Sequence, residues 1–358
     1  MIDFLIIGGG IGGISAAARL APLGKTLVLE REPALGYHAS GRSAAMFEPN
    51  YGSSSTVELS HASGDFFQSE GGGFLSPRGV MFLAAKGEDE AFKHCCESFD
   101  ATPMELQKAT EMVPILNTDA IGNIAHHHSG EDIDTDRLIQ WFAKTCRAHG
   151  GEVNTSQEVT KITKLSDGWE VHTKDQVFRA KMLLNAAGAW VDEVAKLAGI
   201  GPLNVTPLRR SMARIPAPGG HDVNTWPMLL DIHENWYSKP DAGSLIVSPA
   251  EEDPMKPFDA WPDDMVIAEG LARYQEFVTE EVTRVEATWA GLRTFSPDRN
   301  LVIGPDTAEP SFFWVASQGG YGFQSCPAVA QLVADLISGQ TPAIDRKVIA
   351  ALDPRRFA

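Results

Sequence analysis

Blocks of apolar residues separated by turn-forming residues organise the first 30 positions of the chain. The apolar run at residues 3–7 predicts a buried strand, the small and apolar residues at 14–23 predict a helix, and residues 26–29 predict a second strand. A glycine-rich segment at residues 8–13 separates the first strand from the helix. This order of strand, glycine turn, helix and strand is typical of a dinucleotide-binding unit.

The glycines of this segment have the spacing G-x-G-x-x-G. Gly8 allows a tight turn, Gly10 lets the backbone approach a pyrophosphate, and Gly13 lets the helix pack closely on the strand. Ile11 lies in the same turn, where the start of the helix offers free N–H groups to phosphates. Glu30 ends the second strand and can accept hydrogen bonds from a ribose. The segment therefore predicts a bound dinucleotide.

The remaining pattern predicts two domains. Helical spacing indicates helices at residues 56–69, 134–149 and 324–336. Strands are predicted at residues 79–85, 122–128, 157–165, 169–173, 177–184, 301–304 and 312–316. The stretch at 205–286 differs, because it is rich in Pro and Trp and alternates as strands do. We expect one domain from residues 1–75, 134–204 and 287–358, and a second, sheet-rich domain from residues 76–133 and 205–286.

Charge and composition narrow the function classes. The chain has 358 residues and a net charge of −17 with no long basic run, which argues against binding to nucleic acid or to anionic membranes. No apolar run is long enough for a transmembrane segment, and the first apolar run belongs to the predicted nucleotide-binding unit rather than to a signal peptide. The four cysteines lack C-x-x-C spacing and are expected to be reduced thiols. We expect a cytoplasmic protein.

Four segments carry a resemblance to a known enzyme family. They are the glycine turn with Glu30 and Arg31, and residues 36–45, 185–190 and 318–322. Together they resemble the D-amino-acid oxidase superfamily, which includes the glycine and sarcosine oxidases, and within it most nearly the bacterial D-arginine dehydrogenases. The resemblance implies an α/β two-domain fold, with a Rossmann-type FAD-binding domain and an antiparallel-sheet substrate domain. It also implies FAD as the cofactor, expected to be bound non-covalently, although His38 leaves covalent attachment open.

The resemblance further implies which residues bind FAD. Beyond the glycine turn they are Glu30, Arg31, Ser40, Gly41, Arg42, Ser43, Ala45, Val159, Gly188, Gly319, Gly320, Tyr321 and Gly322. Arg42 could neutralise a phosphate and Ser43 could donate a hydrogen bond, the alternative being a solvated loop arginine. Residues 318–322 open the last predicted helix, whose N–H groups suit the negative charge that builds on a reduced flavin.

Six residues match positions that contact the substrate in this family. Arg210 and Arg293 match two carboxylate-binding arginines, a task for which the guanidinium fork is well suited. Tyr51 and Tyr237 match tyrosines that cover the substrate, and residues 50–52 form a plausible mobile lid with a glycine hinge. In addition, the Gly320 carbonyl and Gln324 match contacts near the substrate amine or the flavin.

Two departures from D-arginine dehydrogenase bear on the substrate. Val80 stands where that enzyme has a glutamate for the substrate guanidinium, and Met46 stands where it has an active-site histidine. Without the acid there is no reason to prefer a cationic side chain. We therefore expect a neutral, apolar D-amino acid, or an N-substituted amino acid, as the substrate.

The expected reaction is oxidation of a D-amino acid by hydride transfer to flavin N5, followed by hydrolysis to the 2-oxo acid and ammonia. Three alternatives stay open, namely oxidation of an N-methyl amino acid, dehydrogenation of a 2-hydroxy acid, and a non-catalytic flavin-binding subunit. The electron acceptor (oxygen, a quinone or a carrier protein) and the oligomeric state are open as well. No metal is expected, because only His126 and His128 of the histidine run share a strand face and a third ligand is not recognisable.

Overall fold

The computed structural model describes residues 1–70 and 73–357. The strands are β1 (Ile2–Ile7), β2 (Thr26–Leu29), β3 (Met46–Phe47), β4 (Leu75–Pro77), β5 (Val80–Ala85), β6 (Thr102–Met104), β7 (Ile121–His127), β8 (Glu131–Ile133), β9 (Glu152–Asn154), β10 (Val159–Leu165), β11 (Gly168–Thr173), β12 (Val177–Asn185), β13 (Thr206–Ile215), β14 (Met228–Asp231), β15 (Tyr237–Asp241), β16 (Ser244–Ser248), β17 (Asp253–Pro254), β18 (Ala287–Phe295), β19 (Val302–Pro305) and β20 (Phe312–Ala316).

Helices alternate with these strands mainly at the two ends of the chain. They are α1 (Ile11–Leu20), α2 (Ser54–Ser69), α3 (Asp89–Phe99), α4 (Leu106–Met112), α5 (Thr135–Ala148), α6 (Val191–Leu197), α7 (Asp264–Glu276), α8 (Gly322–Ser338) and α9 (Arg346–Leu352). Short 3-10 turns cover Ala39–Arg42, Gly188–Trp190, Pro218–Gly220 and Pro354–Phe357.

The first sheet is the dinucleotide-binding layer. Its parallel core has the order β9-β2-β1-β12-β20, so the expected strand–turn–helix–strand unit lies at its centre. Apolar residues of α1, α2, α5 and α8 cover one face. The other face packs against α6 and the antiparallel strands β10 and β11. The carboxyl ends of β1 and β12 therefore meet beside the start of α1, where this kind of sheet binds its ligand.

The second sheet is largely antiparallel and has the order β17-β13-β16-β15-β14-β5-β7-β6. Along β5 the side chains alternate, as a strand requires. Met81 and Leu83 pack into a core with α4 and α7, whereas Val80 and Phe82 face the opposite side together with Tyr237. Strand β18 pairs along its length with β13 and connects this sheet to the returning first domain. The expected α/β two-domain class is confirmed.

Several elements differ from the sequence prediction. Helix α1 begins at Ile11 rather than at residue 14, because Gly12 and Gly13 are accepted in a helix that packs tightly against β1. Helices α3, α4 and α7 were not predicted, and α7 lies inside the stretch expected to be sheet. Its buried positions are few, namely Ile267, Gly270 and Tyr274, so its apolar stripe is weak in the sequence.

Candidate active site

The glycine turn between β1 and α1 is held in a conformation that depends on its glycines. Gly8 has φ of 109°, and a Cβ there would clash with the carbonyl oxygen of Ala186. A Cβ at Gly13 would clash with the carbonyl oxygen of Gly8. The Glu30 carboxylate accepts hydrogen bonds from the Gly9 and Glu32 N–H groups at 2.6 and 2.9 Å. It therefore orders the turn as well as lining the cavity beside it.

That cavity has a volume of about 250 Å³ and runs along the carboxyl ends of β1 and β2. The predicted cofactor residues on its wall are Gly8, Gly10, Glu30, Arg31, Ser40, Arg42, Val159 and Gly188. Arg31 forms an ion pair with Glu32 at 3.1 Å, and its guanidinium lies 4.9 Å from the ring centre of Trp190. The wall thus combines a polar edge with a flat indole surface, which suits the adenosine half of a dinucleotide.

A second cavity continues from the first, because Gly10, Ser40, Arg42 and Gly188 line both. Its further predicted residues are Ile11, Ser43, Gly319, Gly320 and Gly322. Three residues that line this space carry buried polar atoms with no hydrogen-bond partner among the described residues, namely Thr294 Oγ1, Ser317 Oγ and both amide atoms of Gln318. Such atoms require a ligand or water as partner, and the polar edge of an isoalloxazine ring supplies both donors and acceptors. The residues present therefore fit FAD.

The turn that opens α8 borders this second cavity. Gly319 has φ of 53°, its N–H donates to the Thr294 carbonyl at 3.0 Å, and a Cβ there would lie 2.5 Å from the Phe295 ring. Helix α8 starts at Gly322 with Tyr321 as its N-cap residue and no side-chain cap. The free N–H groups at this end of a 17-residue helix favour negative charge in the cavity. Tyr321 itself lines an outer cavity instead.

The loop at residues 36–45 wraps around the start of α1. Ser40 Oγ accepts a hydrogen bond from the Ile11 N–H at 3.0 Å, and Ser43 Oγ accepts one from the Ala45 N–H at 3.1 Å. Gly41 shapes the loop by donating its N–H to the Gly36 carbonyl at 2.6 Å.

Arg42 extends from this loop to the second sheet. Its guanidinium donates to the carbonyls of Ala260 and Ala290, both at 2.9 Å, and pairs with Asp259 at 2.5 Å. These contacts connect the cofactor loop to the substrate side. Neutralisation of a phosphate by Arg42 stays a prediction.

A third cavity adjoins the second, and we call it the substrate cavity. It is lined by Ser43, Ala44, Ala45, Met46, Glu48, Tyr51, Val80, Phe82, Phe99, Arg210, Met228, Leu230, Glu234, Tyr237, Arg293, Gly320, Phe323 and Gln324. All the predicted substrate residues are thus brought together. Met46 and Val80 form an apolar wall with neighbouring Phe, Met and Leu side chains, as expected from the sequence.

Arg210 and Arg293 project from paired strands into this cavity. In the β13–β18 register Arg293 lies opposite Leu208, so Arg293 and Arg210 share one face of the sheet. Arg210 is engaged, because it donates to the Glu251 carbonyl at 3.0 Å and pairs with Glu252 at 3.4 Å. Burial, and then the charge of Arg293, lower the pKa of Arg210.

Arg293 has no hydrogen bond or ion pair with any residue in the part of the chain that the structure describes. It is therefore free to hold an anionic ligand. The adjacent Arg209 pairs with Asp253 at 2.8 Å and does not line the cavity.

Both predicted tyrosines line the substrate cavity. The Tyr51 phenol donates to Glu234 at 2.9 Å, and the Tyr237 phenol contacts Met212 Sδ at 3.6 Å. Burial raises the pKa of Tyr51 well above its usual value. Tyr51 therefore stays protonated and remains a hydrogen-bond donor at alkaline pH.

An outer cavity lies beyond this wall. Tyr51, Phe99, Arg210 and Glu234 line both it and the substrate cavity, and Tyr321 lines the outer one. The ring centres of Tyr51 and Tyr321 are 5.4 Å apart. These residues separate the substrate cavity from the outer one.

Sequence reasoning missed two carboxylates of the substrate cavity, Glu48 and Glu234. Glu48 lies two positions after Met46 in a segment otherwise used for the cofactor, and Glu234 lies in the turn between β14 and β15 with φ of 56°. No spacing marks either residue, because their partners come from distant segments. Proximity of Glu48 to Met46, which occupies an active-site position of the family, was the available signal.

Among residues 1–70 and 73–357, no group of three or more His, Cys, Asp and Glu side chains is placed to hold a metal ion. None of the helices described combines the length and the apolar character needed to cross a membrane. The four cysteines are free thiols. His38 lines the first cavity and pairs with Glu32 at 2.9 Å, and non-covalent attachment of FAD stays a prediction.

The fold and these connected cavities define a flavin-dependent oxidoreductase. Residues 3–336 match the family model described as FAD dependent oxidoreductase (DAO), and the chain belongs to this family of FAD-binding proteins. It is 26% identical over 390 residues to mitochondrial dimethylglycine dehydrogenase from Homo sapiens, covering 99% of this chain and 44% of the relative. The chain thus spans less than half the length of that relative.

Solved structures show the same fold. L-proline dehydrogenase from P. horikoshii superimposes with a TM-score of 0.84 at 21% identity, over 99% of this chain and 97% of that one. Glycine oxidase from Geobacillus kaustophilus gives a TM-score of 0.81 at 22% identity, over 96% of both chains. The specific similarity to D-arginine dehydrogenase stays a prediction.

Proposed function

We propose that the protein oxidises a D-amino acid with a neutral, mainly apolar side chain to the imino acid, which hydrolyses to the 2-oxo acid and ammonia. One observation carries this proposal, namely that the unengaged cation Arg293 lies in a cavity whose other wall is apolar at Met46 and Val80. We call the second cavity the cofactor groove, and the substrate cavity joins it through shared residues, including Gly320. FAD, when bound, accepts the hydride from the substrate α-carbon.

The residues of the chain position the substrate for this step. Arg293 binds the carboxylate with two parallel donors, and Arg210 adds positive charge beside it. Tyr51, whose phenol donates to Glu234, closes the cavity and excludes water. Tyr237 lines the same cavity and donates a hydrogen bond to the carboxylate, which orients the α-carbon. The substrate amine must be neutral when hydride leaves, so the site works best when solution pH favours the free amine.

A second candidate function is oxidation of an N-substituted amino acid. Two of the similar proteins are named for dimethylglycine and L-proline, whose nitrogens carry carbon substituents. Such compounds present the same carboxylate to Arg293, and the apolar wall at Met46 and Val80 could accept the N-substituent. The electrons would pass from the flavin to oxygen, a quinone or a carrier protein, and we propose a cytoplasmic location.

The experiment measures the anaerobic loss of flavin absorbance at about 450 nm on addition of each compound of a panel. The panel contains D-amino acids, L-amino acids, N-methyl amino acids and 2-hydroxy acids. Rapid bleaching by D-leucine, D-methionine or D-phenylalanine, with a higher kcat/KM than for D-arginine, supports the first proposal. Bleaching only by N-methyl amino acids supports the second. Bleaching only by hydroxy acids, or by no compound, contradicts both.

A further inference from the structure

Glu48 is an acid on the otherwise apolar side of the substrate cavity. Its side chain is only 6% exposed, yet it lines the cavity near Met46 and Val80. A buried carboxylate is costly unless it is paired and hydrogen-bonded. The carboxylate therefore needs partners from the protein, and as a lining residue Glu48 also borders whatever the cavity binds.

Three contacts fix the position of Glu48. Its Oε2 lies 2.7 Å from His127 Nδ1, and its Oε1 accepts a hydrogen bond from the Asn50 N–H at 3.2 Å. The Glu48 N–H donates to Gln324 Oε1 at 3.4 Å, and Gln324 Nε2 in turn donates to the Tyr51 carbonyl at 3.0 Å. The carboxylate is thus held by β7 and by the Asn50 N–H, and the Glu48 backbone is held by α8.

His127 supports the carboxylate from behind. It is buried on β7 opposite Val80, and it does not line the substrate cavity. The hydrogen bond to Glu48 raises the pKa of His127. Because Glu48 lines the cavity and His127 does not, a ligand in the cavity contacts the Glu48 carboxylate and not the His127 imidazole.

The location of Glu48 within the cavity indicates which part of a substrate it meets. Arg210, Arg293 and Gly320 line both the substrate cavity and the cofactor groove, so the carboxylate and the reacting carbon belong at that end. Glu48 and Met46 line the substrate cavity but not the groove. Glu48 therefore faces the substituent that a substrate carries beyond its reacting carbon.

We infer that Glu48, held by His127, is a specificity-determining residue that excludes substrates with a second carboxylate and accepts their neutral counterparts. This inference rests on the proposed function, because it presumes that Arg293 holds the first carboxylate. Two like charges in a partly dehydrated cavity repel each other strongly. An amide of the same shape instead donates a hydrogen bond to Glu48.

The test compares ligands of equal shape that differ in one charge. Succinate and its monoamide, succinamate, have no amine and cannot be oxidised as amino acids, so their dissociation constants, measured by perturbation of the flavin spectrum, report binding alone. We expect the wild-type protein to bind succinamate at least about tenfold more tightly than succinate. In Glu48→Gln we expect this ratio to fall to about one-third of its value or less, and in Glu48→Asp to persist.

Further variants and substrates sharpen the result. Glu58→Gln removes one exposed acid on α2 and should leave the ratio unchanged. Glu234→Gln removes the other cavity carboxylate and should lower the ratio less than Glu48→Gln. The kcat/KM ratio of D-glutamine to D-glutamate, or of iminodiacetate monoamide to iminodiacetate for an N-substituted substrate, should follow the binding ratio.

The outcomes separate the inference from the proposed function. Equal binding of both ligands by the wild-type protein overturns the inference even if Glu48→Gln fails to fold, and so does an unchanged ratio in a folded Glu48→Gln. If neutral amino acids bleach the flavin while the ratio is unaffected, only the inference fails. If the ratio changes as expected while no amino acid bleaches the flavin, the proposed function fails.

Discussion

The Tyr51 phenol donates a hydrogen bond of 2.9 Å to the Glu234 carboxylate, and both residues line the wall between the substrate cavity and the outer cavity. Tyr51 precedes Gly52, whose φ of 123° is open to glycine but strained for other residues. Glu234 belongs to the turn between β14 and β15. The bond therefore joins a segment that follows the cofactor loop to the second sheet, and it closes this side of the substrate cavity.

Removing this hydrogen bond should weaken the closed form of the site. A hydrogen bond to a charged group contributes about 1.5–3 kcal/mol, so we expect Tyr51→Phe to lower kcat/KM by about tenfold or more. Glu234→Gln should have a similar or smaller effect, and the double variant should be no worse than the more impaired single one. Tyr274→Phe is the control, because that phenol is buried on α7 and has no hydrogen-bond partner in the part of the chain that the structure describes. Additive effects of the two changes would contradict the role of the bond.

Arg293 should dominate binding of the substrate carboxylate. We expect Arg293→Gln to raise KM by about 100-fold, and Arg293→Lys to recover only part of this loss, because lysine lacks the planar pair of donors. Arg210→Lys should have a smaller effect, since its guanidinium is already bound to Glu251 and Glu252. Steady-state kinetics with the best substrate of the panel measures these changes.

Arg209→Lys is the matched control for these arginine variants. It alters the ion pair with Asp253, so it should lower the melting temperature and leave KM unchanged. A larger KM effect at Arg209 than at Arg293 would refute the assignment.

The activity should rise with pH and stay high. The α-carbon releases hydride when the substrate amine is neutral. We therefore expect kcat/KM to increase from about pH 6 to about pH 10 as the ammonium group of the substrate loses its proton. Burial raises the pKa of Tyr51 well above its ordinary value, and burial also raises that of Tyr321. Since a phenol with a raised pKa keeps its proton longer as pH rises, neither tyrosine should cause a decline by about pH 10. A bell-shaped profile with an alkaline limb that disappears in Tyr51→Phe would show the opposite.

The mode of flavin attachment can be read directly. Precipitation with acid should release FAD into the supernatant, because we expect non-covalent binding. His38 is engaged with Glu32 in the first cavity and its ring lies 4.6 Å from that of Trp190. His38→Ala should therefore leave the released fraction unchanged. Flavin that stays with the precipitated wild-type protein but not with His38→Ala would establish a covalent bond at this residue.

The glycine turn was predictable because local rules govern it, whereas Arg210 and Arg293 were identified by the family resemblance. Backbone geometry requires glycine at Gly8 and Gly13, and the alternation of side chains along β13 separates Arg209 from Arg210. Met46 and Val80 were placed in the substrate cavity by resemblance alone. The structure confirms the two-domain α/β fold on which these predictions rest.

Contacts between distant segments could not be read from the sequence. Glu48 and His127 are 79 positions apart, and Arg42 reaches Asp259 across 217 positions. Neither pair lies in a motif, and the partner of a buried carboxylate depends on how the two sheets are placed. Helix α7 was missed for a similar reason. It has few buried positions, and these are buried by packing against β16 and β13, which the sequence does not show.

The register between β13 and β18 determines how far apart Arg210 and Arg293 lie, because each arginine occupies a fixed position in the paired strands. Both arginines belong to one continuous ribbon of two hydrogen-bonded strands. This ribbon extends from the pair of Thr206 with Phe295 to the pair of Arg214 with Ala287. A deletion of one residue within either strand would turn one guanidinium toward the opposite face of the sheet. Homologous chains that retain anion recognition should therefore tolerate changes of length in the loops around this ribbon, while the ribbon itself keeps a constant count of residues.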